Sequence, residues 1–205
     1  MKTGNKLWID VLIVVGMMAV VILLCQPIGR KWNETQKSMY IGEEGEYTVD
    51  PDSYFYIRIA KEYTEKGFSS IRLFYHSEED ELKTPLHVGE TQKMPVLISA
   101  MAAFIWYALS FFGIHVGIYG LCLRLASFIL ACFVIPLYLF LKKRVSIPAT
   151  VFGTLFVVLG IPFFRHSAYG FFDTDAFVGL FGIIIVLSFL ECVLASDKKK
   201  QILYG

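Results

Sequence analysis

Asp173 and Asp175 stand two positions apart in GFFDTDAFVGLFG (residues 170–182), one of the most apolar neighbourhoods of the chain. A second acidic pair, Asp50 and Asp52, flanks Pro51 in TVDPDSYFYIRIAKEYTEKG (residues 48–67). Carboxylates gathered from separate segments repel one another unless a cation neutralises them, and oxygen-only ligands select hard ions such as Mg²⁺ or Mn²⁺. A divalent ion in turn favours a phosphate-bearing partner. The chemistry expected is therefore a metal site that handles a lipid-linked phosphate. Each pair also has a plainer reading. Asp50 suits a helix N-cap and Asp52 complements the helix dipole, while Asp173 or Thr174 caps a helix beginning near Ala176. Two such pairs on one face of a membrane tip the balance towards the metal.

The elements that must position these acids are membrane helices. The 205 residues are 56% hydrophobic and 18% charged, with a mean hydropathy of +0.57, which marks an integral membrane protein rather than a soluble domain. A net charge of only +1 gives no footprint for nucleic acid. Cys25, Cys122, Cys132 and Cys192 all fall in apolar segments without zinc spacing, so neither a disulfide framework nor a metal knuckle is indicated. The N-terminus has a basic start followed by an apolar run long enough to span, and reads as an uncleaved anchor with Asp10 near its cytoplasmic end.

Four further apolar segments, 94–113, 117–141, 147–164 and 176–195, are long enough on hydropathy to cross a bilayer. Five crossings would place Lys142, Lys143 and Arg144, and also Lys198, Lys199 and Lys200, outside when Lys2 and Lys6 are inside. The positive-inside rule disfavours that arrangement. If 94–113 stays on the outer side without crossing, both basic clusters become cytoplasmic, and four spans result. The loop from Pro27 to His115 and the stretch from Arg165 to Asp175 then share the external face. Within that loop, Tyr54, Phe55, Ile59 and Tyr63 share one face of a helix that Gly67 ends, and this helix is expected to lie along the membrane surface.

Other polar residues carry weaker signals. Arg124 lies inside an apolar run, where pairing with another helix or snorkelling explains it without placing it in a site. His76, His87 and His115 are isolated. Arg165 and His166 precede the second acidic pair, at a depth where basic residues are common in any membrane protein. Asn33-Glu34-Thr35 is a sequon.

Taken together, these residues resemble the catalytic subunit of oligosaccharyltransferase, the STT3, AglB and PglB family. DSYFYIR, from Asp52 to Arg58, is similar to the family's first-loop motif, and YGFFDTDAF is similar to its second acidic motif at the start of a membrane helix. The resemblance implies an all-α integral membrane fold, a GT-C-type helical bundle of about four transmembrane helices plus external amphipathic helices. It implies a glycan transferred from a polyprenyl-phosphate-linked donor to Asn of an Asn-x-Ser/Thr sequon, with a divalent metal, Mn²⁺ or Mg²⁺. By position, Asp52, Asp173 and Asp175 become catalytic residues and metal ligands. Asp52 also contacts the acceptor, and Arg165, in competition with His166, is a substrate-binding residue.

The expected organisation is an anchor over 1–27, a first external loop over 28–116 and membrane helices over 117–205, with the acidic motif at 170–176. The expected location is a prokaryotic plasma membrane with the active site outside. The family's Trp-Trp-Asp-Tyr-Gly motif has no counterpart, since Trp8, Trp32 and Trp106 are not adjacent, so an N-terminal fragment or a shortened relative is expected. Two alternatives stay open: a related transferase acting on lipid or Ser/Thr acceptors, and a non-catalytic membrane scaffold.

Overall fold

The computed structural model describes residues 3–35, 48, 51–76 and 93–195; Lys2, Asp50, His87, Lys198, Lys199 and Lys200 lie outside the described residues. The fold is helical, with α1 (Thr3–Thr35), α2 (Pro51–Lys66), α3 (Leu97–Phe111), α4 (Ile118–Cys132), α5 (Val134–Leu141), α6 (Ile147–Val158), α7 (Ile161–Arg165) and α8 (Asp175–Leu194). A short antiparallel ribbon of β1 (Phe74–His76) and β2 (Lys93–Pro95) leads into α3, with Tyr75 opposite Met94.

Among the described residues, three helices are long and apolar enough to cross a membrane: Leu7–Pro27 within α1, Ile118–Leu141 and Asp175–Leu194. The second is α4 and α5 run together, because Phe133 between them keeps right-handed helical angles (φ −62°, ψ −26°). The segment 147–164, expected as one helix, is broken. Pro162 has no N–H to offer the carbonyl four residues earlier, and its ring crowds that carbonyl. That carbonyl belongs to Val158, where α6 ends, and Gly160 turns extended before α7 resumes the climb. Segment 94–113 forms a helix of 15 residues, about 22 Å long and shorter than the ~30 Å hydrocarbon core.

Contacts along these helices define two ends of the bundle. At the basic end, Asp10 of α1 accepts hydrogen bonds from the Tyr138 hydroxyl and the Lys142 ammonium, each at 2.6 Å. In the same turn, Lys143 and Arg144 both reach Oε1 of Glu191 near the end of α8, at 3.0 Å. At the acidic end, the Tyr169 N–H donates to the Cys25 carbonyl of α1 (3.4 Å) and the Gly170 N–H to the Leu123 carbonyl of α4 (2.9 Å). Among the described residues the chain therefore runs from end to end four times: α1, α4 with α5, α6 with α7, and α8.

Helix α3 makes no such traverse. Its Ser99 hydroxyl donates to the Tyr56 carbonyl (2.7 Å), and its Tyr107 hydroxyl reaches the carbonyls of Tyr63 and Thr64 (3.1 and 3.2 Å), so it lies alongside α2 over its length. Buried Ser99, Ala100, Ala102 and Ala103 are the small residues that allow this close approach.

Two sequence expectations change here. Helix α2 buries more than a single stripe. Ser53, Phe55, Tyr56, Ile57, Ile59, Ala60 and Tyr63 are all buried, because α3 and α4 cover it as well as the acidic loop. Helix α1 continues past Pro27 to Thr35, so the backbone at Asn33 is helical rather than part of a loop. Gly67 does end α2, with a φ of 96° that favours glycine.

The Asp10 cluster pins α1 to α5 at a depth where an unpaired charge is costly. Lys142→Met is expected to cost about 1–2 kcal/mol in detergent unfolding. Asp10→Asn combined with Lys142→Met should lose less than the two single losses added. Strict additivity would show that the pair is not coupled.

Candidate functional site

The site is assembled from the first turn of α2 and the loop that precedes α8. In α2, Asp52 is exposed, Ser53 is fully buried and Tyr56 is 7% exposed; Asp52 and Tyr56 are four residues apart and so share a helix face. The loop from Ser167 to Phe172 is buried throughout, sunk into the bundle rather than lying over it. Its depth is set by backbone contacts to α1 and α4 and by the Ser127 hydroxyl, which donates to the Ser167 carbonyl at 3.0 Å. Gly170 has a φ of 94°, a conformation that side chains disfavour, and this turn lets its N–H face Leu123 while the chain swings back towards α2.

One hydrogen bond joins the two segments directly. The Phe172 N–H donates to Ser53 Oγ at 3.0 Å, across 119 residues of sequence, with both groups buried. It sets Asp52, just before Ser53, beside Asp173, just after Phe172. Asp173 then curls onto its own neighbour, and its Oδ1 accepts from the Thr174 N–H and, at 3.1 Å, from the Thr174 hydroxyl. The expected capping role is not met, since neither Asp173 nor Thr174 offers a side-chain hydrogen bond to the first turn of α8. The two bonds to Oδ1 do not engage the second oxygen of the carboxylate.

The electrostatics are those of unrelieved like charges. Burial pushes the Asp173 carboxyl above the usual range and the charges of Asp175 and Asp52 push the same way, against the opposing Thr174 hydrogen bonds. Tyr56 lies among the same groups. Its phenol is pushed up mainly by burial and further by Asp173, Asp52 and Asp175, with the Thr174 side chain acting in the opposite sense. Among the described residues, no Lys or Arg forms an ion pair with Asp52, Asp173 or Asp175.

The structure brings His166, rather than Arg165, to the acidic pair. His166 Nδ1 stands 3.6 Å from Asp175 Oδ2, and its ring packs edge-on against Phe171 at 5.6 Å. Arg165 is exposed at the end of α7 and forms no ion pair among the described residues. Arg124 lies under the loop instead of in the site. Its guanidinium bonds the Gly120 carbonyl of its own helix and covers the Tyr169 ring at 5.5 Å, which supports the loop from below. His115 is exposed.

Beside Asp175 opens a cavity of about 290 Å³ with His166 and Asp175 among its polar lining residues and Phe133, Pro162, Phe163 and Val178 among its apolar ones. Among the described residues, no three His, Cys, Asp or Glu side chains stand close enough together to form a ready-made metal cluster. The acids are neighbours, not a closed coordination shell.

A family model described as oligosaccharyl transferase STT3, N-terminal, matches residues 14–205, which takes in both acidic segments. The chain belongs to the STT3 family. Comparison with curated proteins finds no match. Membership makes this a chain of a membrane glycosyltransferase family, and the three long apolar helices agree with a place in the bilayer. The segments of the STT3 chain that the resemblance singled out are the ones the Ser53–Phe172 bond holds together.

Two residues of the site, Ser53 and Tyr56, escaped sequence reasoning, and Thr174 was read only as a helix cap. Ser53 and Thr174 lie next to the acids, but small hydroxyl residues carry no distinguishing signal of their own. Tyr56 was visible only as part of an aromatic run, although its spacing of four from Asp52 places it on the same helix face.

Asp173 gives a test by pH. A carboxyl whose folded value is raised costs stability once ionised; its favourable contribution is complete below the ordinary value of 3.8 and fades as pH rises through the folded value. Asp173→Asn is therefore expected to raise the unfolding temperature of the metal-free protein at pH 7, with the gain shrinking as pH is lowered towards 4. A loss of stability at pH 7 would show that the charge is compensated.

Proposed function

We propose that the acidic end of this STT3 chain is the catalytic centre of a protein N-oligosaccharyltransferase. The donor is a glycan on a polyprenyl phosphate or diphosphate, and the acceptor is Asn in an Asn-x-Ser/Thr sequon. In the reaction the Asn amide nitrogen bonds to the anomeric carbon and loses a proton, while the bond from that carbon to the phosphate oxygen breaks and the lipid phosphate departs with its electrons. The observation that carries the reading is the meeting of Asp52 with Asp173 and Asp175 at one end of the bundle, with no Lys or Arg partner among the described residues.

The donor set is carboxylate oxygen throughout, the kind a hard divalent cation takes, and the three acids would have to draw closer together to hold it. Asp52, Asp173 and Asp175 would hold it, and bound Mn²⁺ or Mg²⁺ would neutralise their charge and that of the leaving phosphate. The exposure of Asp52 at the start of α2 supports a role for it in meeting an acceptor amide that arrives from solvent. The cavity beside Asp175, polar at His166 and Asp175 and apolar along Phe133 and Phe163, suits a ligand that is phosphate at one end and hydrocarbon at the other. With the basic end cytoplasmic by the positive-inside rule, the acidic end faces outward, as at the outer face of a prokaryotic plasma membrane.

In membranes containing the complete enzyme, Asp52→Ala and Asp173→Ala are each expected to lower transfer to a sequon peptide by about 10²–10³-fold. Chelation of divalent ions should do the same, reversed by added Mn²⁺. Full activity in either variant would remove that residue from the site. Equal transfer to peptides lacking the sequon would point to a different acceptor class.

A further inference from the structure

The structure assigns α3 and the turn that follows it to the outer leaflet of the bilayer, as an interfacial anchor with α2 carried on its opposite face. The partner is a lipid surface, and the assignment does not depend on which reaction the chain performs.

Between Lys93 and Arg124 the chain has no Lys, Arg, Asp or Glu. Helix α3 fills much of that interval, and its two faces differ in size rather than in charge. Buried Ser99, Ala102 and Ala103 give it a narrow face towards α2. Leu97, Phe104 and Phe111 recur every seven residues, a spacing that drifts only about 20° per repeat on a helix, so all three share one exposed stripe. Phe104 is 57% and Phe111 86% exposed, and the turn extends the apolar surface through Phe112, at 76%, and Ile114. Phe68 widens it, with its ring 6.1 Å from that of Phe104.

An exposed patch of this kind marks a membrane or a protein partner. Continuity with the bilayer favours lipid. The turn runs directly into α4, where Ile118 begins a stretch long and apolar enough to cross, so Phe112 and Ile114 already stand at the membrane boundary. Trp106 Nε1 donates to the Val116 carbonyl at 2.8 Å, which ties the turn to α3. Trp106 and Tyr107 are themselves residue types that concentrate at headgroup level. A protein-facing patch carries a polar rim, whereas His115 is the only polar side chain in residues 111–117. A helix about 22 Å long is too short to cross but can lie within one leaflet, its apolar face sunk about 5–10 Å.

Ser99 and Tyr107 fasten α3 to α2 at two places, so an anchored α3 sets the height of Asp52 over the leaflet. For the lipid-linked donor, and resting on the function proposed above, that height fixes how far Asp52 stands from a phosphate at the membrane surface.

The test places photoreactive benzoylphenylalanine at Phe104 or Phe111 of the full chain, in the membranes of the cells that make it. After illumination, mass spectrometry of the purified chain reads what each position has captured. A mass gain of one phospholipid is expected at both positions, as at Phe152 of the crossing helix α6, and none at exposed Glu65 of α2. A crosslink to a polypeptide, whether a second copy or another protein, or the absence of lipid at either position, would overturn the anchor. Equal lipid capture at Glu65 and Phe111 would overturn the orientation. If a position does not yield folded chain, Phe112 takes its place with the same two outcomes. No activity is read, so failure of the anchor leaves the proposed reaction standing, and loss of that reaction leaves the anchor standing.

Discussion

Burial and two neighbouring carboxylates oppose the charge on Asp173, and the arrangement around it depends on that opposition being tolerated. The Ser53–Phe172 hydrogen bond enforces the proximity, Gly170 provides the turn that permits it, and contacts to Cys25 and Leu123 anchor the loop at a fixed depth. None of these relieves the repulsion. They spend folding energy to hold acids together, which is the pattern expected where a binding site costs stability.

The opposite end of the bundle shows what the same chain does with charges that serve structure. There Asp10 has Lys142 and Tyr138, and Glu191 has Lys143 and Arg144. Each acid is paired with a base, and each pair ties two helices. The contrast matters more than either end alone, since a chain able to neutralise its intramembrane acids with lysine and arginine at one end leaves three carboxylates, among the described residues, without such partners at the other. Helices α2 and α3 are what make the acidic end a platform, because α3 covers α2 and fixes the face on which Asp52 and Tyr56 stand.

Much of this was legible in the sequence. Hydropathy and length located the long helices, the basic clusters argued that 94–113 does not cross, and the 15-residue α3 lying along α2 agrees with that reading. The likeness of DSYFYIR and YGFFDTDAF to one family's motifs was confirmed by a match over residues 14–205. What was not legible depends on tertiary contact. The burial of α2 on several sides follows from the packing of α3, which periodicity within α2 does not report. The stop at Val158 follows from Pro162, whose effect falls four residues upstream of the proline itself. The choice of His166 over Arg165 as the neighbour of Asp175 turns on how α7 ends, and adjacent residues in sequence cannot be told apart at that resolution.

The most direct test is anomalous diffraction at the manganese edge from crystals of the complete enzyme grown with Mn²⁺. A single strong peak bounded by Asp52, Asp173 and Asp175 is the predicted result. Full occupancy at some other group of side chains, or no peak near these carboxylates, would contradict the account.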